Sequence, residues 1–148
     1  MVKYKNNKLG DIYLRLDRHI EIIKDPIFGK FCYYYDNLIH REDGPAILYL
    51  NGDKAWFRYG EIHREDGPAI EYASGEKQWW FQGQLHRSNG PALIDKKRNY
   101  TAWYYFGLRH REDGPAVQHH NGDKEFWIQN KKYSEAEYWR MVKLKSLW

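Results

Sequence analysis

With 148 residues the chain has room for one domain, and six Phe, seven Trp and thirteen Tyr give an aromatic content of 18% beside 30% charged residues, the composition of a rigid, ring-rich soluble protein. A lone Cys32 excludes an internal disulfide, and no stretch approaches the roughly 20 apolar residues of a membrane-spanning helix. The net charge of +4 sits at the ends: residues 1–10 carry three lysines and no acid, residues 131–148 carry five basic and two acidic side chains, and the 16 basic and 18 acidic residues between them do not form a polycation.

Residues 1–10 are polar and basic and lack the apolar run of a secretion signal, which points to a cytoplasmic protein. Residues 1–30 form an opening segment in which 12–23 alternate in part like a strand. From there to residue 133 a short unit recurs four to five times, closing in His40-Arg-Glu-Asp-Gly-Pro-Ala46, His63-Arg-Glu-Asp-Gly-Pro-Ala69, His86-Arg-Ser-Asn-Gly-Pro-Ala92 and His110-Arg-Glu-Asp-Gly-Pro-Ala116. The four histidines are 23, 23 and 24 residues apart, so residues 1–148 read as a single repeat domain.

Each unit alternates as a strand, turns on Asn51-Gly52, Ser74-Gly75 or Asn121-Gly122, and alternates again. Asn-Gly suits a two-residue type I′ hairpin. Counted from that turn, Ile47 faces Trp56, Ile70 faces Trp79 and Val117 faces Phe126. In the third unit a three-residue loop, Lys97-Arg98-Asn99, restores the pairing of Leu93 with Trp103 and accounts for the longer spacing. This register puts Ile47, Ile70, Leu93 and Val117 on a core face with Tyr33, Trp56, Trp79, Trp103 and Phe126. The other face carries a second ring column, Tyr34, Phe57, Trp80, Tyr104 and Trp127, beside Ala46, Ala69, Ala92 and Ala116. The fold class is all-β: a single-layer antiparallel sheet of stacked hairpin repeats.

After Gly60, Gly83 or Gly107 the chain passes through the His-Arg motif, whose Asp/Asn-Gly-Pro reads as a corner. Strands about 4.8 Å apart leave equivalent histidines of neighbouring units on the order of 10 Å from one another, too far for one metal ion, so His40, His63, His86 and His110 read as structural and no metal or cofactor is expected. Repetition of the same set also argues against catalysis, which needs one asymmetric constellation. Arg41, Arg64 and Arg111 are expected to bond an aspartate or turn carbonyl of the next unit. Arg87, beside Ser88 and Asn89, has the least acidic company and is the corner most open to an anion. Residues 134–148 open with the capping box Ser134-Glu-Ala-Glu137 and continue at helical spacing through Tyr138, Met141 and Val142, predicting a short closing helix.

The segment Trp79-Trp-Phe-Gln-Gly-Gln-Leu-His-Arg-Ser-Asn-Gly resembles the MORN repeat, whose 23-residue unit places an aromatic, a Gly, His-Gly and a further Gly in this order. Arg41, Arg64, Arg87 and Arg111 stand where that repeat has Gly, a variant similar to the MORN-like repeats of bacterial antitoxin-type and bacteriophage proteins. The resemblance implies a non-enzymatic hairpin platform. Joined to the second ring column, it implies a protein that binds and inhibits another protein, with Tyr34, Phe57, Trp80, Tyr104, Trp127 and Arg87 as the binding residues. Stacking of a nucleotide or nucleic acid on those rings, including a signalling-nucleotide sponge, is the alternative, and self-association through open sheet edges is a third use of the fold.

Overall fold

The computed structural model describes residues 3–6, 12–15, 20–25, 27 and 29–145. The strands β1 (Lys3–Asn6), β2 (Ile12–Arg15), β3 (Ile20–Asp25) and β4 (Lys30–Tyr35) run antiparallel in sequence order and open the sheet. Each following unit adds two antiparallel strands, Ile47–Tyr49 with Lys54–Ala55 being the first such pair, and one sheet of 14 strands results among the described residues. Beyond its second strand each of the three middle units bends at the first ring of its tandem pair and makes a separate small hairpin at the corner, such as Phe57–Arg58 with Glu61–Ile62, whereas the strands Lys30–Tyr35 and Lys124–Ile128 run unbroken into their corners. Adjacent corner hairpins are tied by backbone bonds, Arg64 N–H to the Trp80 carbonyl at 3.2 Å and Gly83 N–H to the Ile62 carbonyl at 3.0 Å. The corners therefore stack as the sheet does.

The hairpin pairing differs by one residue from the expected register. Ile47 pairs with Ala55, Ile70 with Gln78, Leu93 with Ala102 and Val117 with Glu125. The cause is the turn: Gly52 N–H donates to the Tyr49 carbonyl and Tyr49 N–H to the Asp53 carbonyl, both at 3.0 Å, which closes a three-residue loop in which Gly52 takes φ of 93°. The third unit uses four residues, 96–99, so its extra residue does sit in this loop, one position larger than expected. Type I′ turns lie instead at the corners, where Tyr59-Gly60, Gln82-Gly83 and Phe106-Gly107 all have positive φ.

A one-residue slip exchanges the faces. The row running across the strands is Cys32, Ile47, Ala55, Ile70, Gln78, Leu93, Ala102, Val117 and Glu125. Tyr34 and Phe57 pack on its apolar end with Ile39. The second ring column thus shares a face with the isoleucine row, not with the alanines. On the opposite face the first rings alternate with alanines: the N–H groups of Tyr33, Trp56, Trp79 and Trp103 donate to the carbonyls of Ala46, Ala69, Ala92 and Ala116 at 2.7 to 2.8 Å, and these alanines are fully buried.

The helix α1 (Glu135–Lys145) starts at a reciprocal capping box, Ser134 N–H to Glu137 Oε2 at 2.9 Å and Glu137 N–H to Ser134 Oγ at 3.3 Å. Its buried Tyr138 packs on Phe126, ring centres 4.9 Å apart, on the alanine face. The Tyr138 hydroxyl donates to the Arg111 carbonyl at 2.8 Å and accepts from Gly114 N–H at 3.0 Å. The helix closes the stack where a further His-Arg corner would otherwise lie.

Candidate functional site

The repeated motif is built around the first ring of each pair. The guanidinium of Arg41 lies 4.1 Å from the ring centre of Tyr33, Arg64 4.1 Å from Trp56, Arg87 4.0 Å from Trp79 and Arg111 4.1 Å from Trp103. Cation–π contact on a half-buried ring is favourable by about 1 kcal/mol. In three copies Nε–H donates to the aspartate two residues on, Asp43, Asp66 and Asp113, at 2.7, 2.7 and 2.6 Å, and in all four Nη1 donates to the proline carbonyl four residues on, at 3.1 to 3.4 Å. The arginine is therefore held chiefly inside its own motif, and Arg64 adds a bond from Nη1 to Glu71 on the first strand of the next unit at 3.3 Å. Glycine is required because a Cβ at Gly44, Gly67, Gly90 or Gly114 would meet the guanidinium carbon at 2.9 to 3.2 Å. The charge-assisted bonds hold the Asp43, Asp66 and Asp113 carboxyls below the ordinary aspartate range.

The histidines reach across to the next unit. Nδ1 of His40, His63, His86 and His110 accepts the backbone N–H of Tyr59, Gln82, Phe106 and Gln129 at 3.1 to 3.2 Å, the residue that opens each following corner turn. Those residues sit at φ of 45 to 48°, a conformation that costs a non-glycine residue about 1 kcal/mol. The imidazole satisfies the N–H that this geometry turns away from the ladder, and where the turn residue carries a ring it stacks on it, His40 on Tyr59 at 4.3 Å and His86 on Phe106 at 4.1 Å. The corner motif is thus an inter-unit clasp, and among the described residues no three His, Cys, Asp or Glu converge as a metal site.

The corners also display rings that sequence reasoning passed over. Tyr35, Phe81 and Tyr105 follow the tandem pairs and pack against His40, His63, His86 and His110, and Tyr59, Tyr105 and Phe106 are 51, 50 and 42% exposed. Their signal was the position of the glycine: a residue before Gly60 or Gly107 in a two-residue type I′ turn points outward.

The second ring column places one ring on each corner hairpin. Tyr34, Phe57, Trp80, Tyr104 and Trp127 are each half-buried, and their cross-strand partners are Ile39, Ile62, Leu85, Arg109 and Lys132. The band changes character along the sheet. At the β4 end it adjoins buried Cys32, Ile47 and Ala55, whereas at the far end Arg109 Nε bonds the Tyr104 hydroxyl at 3.2 Å, and Arg109 and Lys132 stand 5.1 and 5.7 Å from the Trp127 ring centre. Glu125 gathers the Trp127 indole N–H and the Lys132 ammonium, both at 2.9 Å, and these partners draw its carboxyl below the ordinary range against the opposing effect of burial. Arg87, placed with this column by sequence reasoning, lies on the other face over Trp79. Of the column, Tyr104 is the member that lines a groove together with Arg87.

No family model matches the chain, and no curated protein is significantly similar to it in sequence. The geometry defines a repeat of antiparallel hairpins with an aromatic surface, suited to holding a protein or a ligand on its face. No helix among the described residues is long and apolar enough to cross a membrane.

Proposed function

We propose that the protein is a non-enzymatic recognition module that seats another protein on the band formed by Tyr34, Phe57, Trp80, Tyr104 and Trp127 and thereby blocks it, in the manner of an antitoxin or a phage-encoded inhibitor of a host defence. The observation that carries this reading is the position of α1: it packs on Phe126 and Ile128 of the alanine face, so among the described residues the opposite ring column is shielded only by its own sheet neighbours. A ladder of half-buried rings beside aliphatic residues is the kind of surface on which binding hot spots concentrate. The inhibitory role rests on the MORN-like resemblance.

Arg109 and Lys132 beside Trp127 favour a second reading, a nucleotide stacked at that end. Glu125 between them offsets their charge, and the repeat body carries no basic stripe. A protein partner therefore has priority. The test is affinity capture from the native host with the intact chain and with the Trp80→Ala/Tyr104→Ala double variant, alongside titration with single strands and small nucleotides over a salt series. The expected result is a partner held by the former and lost from the latter at unchanged circular dichroism. Retention by the folded double variant overturns the reading, and salt-dependent nucleotide binding replaces it with the second.

A further inference from the structure

Three of the four motif arginines find a carboxylate within their own motif. The fourth does not. In the third unit everything that fixes the arginine is retained: the Arg87 guanidinium lies 4.0 Å from the Trp79 ring centre, Nη1 donates to the Pro91 carbonyl at 3.2 Å, and Gly90 leaves the space into which a Cβ would intrude at 3.1 Å. What changes is the acceptor, since Asn89 occupies the aspartate position and Ser88 the glutamate position. Among the described residues no carboxylate bonds to Arg87. Burial without an adjacent anion draws its guanidinium below the ordinary arginine range, whereas the bond to Asp43 holds Arg41 above it.

We propose that Arg87, together with Asn89 and Ser88, is a binding site for a carboxylate supplied from outside the motif, carried by a peptide or by a small free acid. The other three units show what fits. In each of them a carboxylate oxygen sits 2.6 to 2.7 Å from the same arginine nitrogen. At Arg87 the ring stack and the proline carbonyl hold the guanidinium over the same ring, with Nη1 in place of Nη2 against the motif glycine, so an incoming carboxylate meets a donor held in place. Asn89 and Ser88 add an amide and a hydroxyl donor where the other units have acids, and both are exposed.

A singly charged group is favoured over a phosphoryl group by the surroundings. The two grooves that meet at Arg87 hold Glu65, Asp66 and Arg64 on one side and Glu112, Asp113 and Arg111 on the other, and both of these arginines are already bonded to their own aspartates, so a second negative charge finds no uncommitted motif arginine beyond Arg87. The guanidinium lies over Trp79 on the alanine face, and Tyr104 is the one member of the ring column that lines a groove with it, so the site is tested on Arg87 and Asn89 with both Trp80 and Tyr104 left in place.

The test is a side-chain spectrum of the full chain resolving the arginine Nε–H signals, titrated with sodium acetate against sodium chloride at matched ionic strength. Arg87 is expected to shift saturably with acetate while Arg41, Arg64 and Arg111 do not. Asn89→Asp, which supplies an internal carboxylate, should abolish the response, and Asp43→Asn should transfer it to Arg41, with the backbone amide spectrum confirming the fold of each variant. A blocked Gly-Glu-Gly peptide in place of acetate tells a peptide-borne carboxylate from a free acid, and a response to either one supports the site. Absence of a saturable Arg87 shift, its survival in Asn89→Asp, or a larger response to inorganic phosphate than to acetate overturns the proposal.

Discussion

The two faces of this sheet solve the same problem in opposite ways. A one-layer sheet has no second layer to cover either side. On the alanine face the chain supplies its own cover: each connecting segment folds its arginine onto the first ring of the unit, and glycine and fully buried alanine leave the space that this needs. On the isoleucine face nothing comparable descends among the described residues, and the second rings lean on Cys32, Ile47 and Ala55 at one end and on Arg109 and Lys132 at the other. The difference separates roles. The face closed by the repeated motif holds the units together, and the other carries the ring column to which partner binding is assigned by the proposal above.

If that division is right, substitutions on the alanine face should cost the most. Trp79→Ala removes the platform beneath Arg87 and is expected to destabilise by about 3 kcal/mol in urea unfolding, more than Trp80→Ala next to it. Equal losses would break the comparison. A smaller effect, about 1 to 2 kcal/mol, is expected for Gly67→Ala, because the added methyl would stand 2.9 Å from the Arg64 guanidinium carbon and displace it. Trp56 fluorescence should change with it, since the displaced cation leaves that ring. No change in either observable would mean that the close packing of glycine and arginine is incidental.

The smallest expected effect is one of pH and concerns His86. Burial lowers its affinity for a proton, so the unfolded chain takes up that proton first as the solution is acidified. Its contribution to stability is therefore complete above the ordinary histidine range near 6.5 and declines as pH falls through that value toward the lower folded-state one. A proton on Nδ1 would also displace the bond from Phe106 N–H. The urea midpoint should fall between pH 7.5 and 5.5, and His86→Asn should reduce that fall; an identical fall in the variant would assign the dependence elsewhere.

The period of the repeat, the antiparallel hairpins, the extra residue in the third loop and the capped closing helix were all legible from spacing, because each depends on residues close in the chain. The Arg–Asp pairing is equally local, but the expectation of a partner in the next unit sent it to the wrong place. The rings exposed at the corners were missed because the type I′ turns were assigned to Asn51-Gly52 and its equivalents when they belong to Tyr59-Gly60 and its equivalents.

What the amino-acid order settled by itself is thus the period of the repeat, its antiparallel hairpins and the capped closing helix. Only the tertiary structure decided which rings share a face. Asn-Gly is compatible with a two-residue and with a three-residue loop, and the choice between them moves every cross-strand partner by one position. In the folded chain the first rings take their places opposite fully buried alanines, which leave room for an arginine to lie over each ring; that packing joins residues eight apart in sequence through space and has no signature in local alternation.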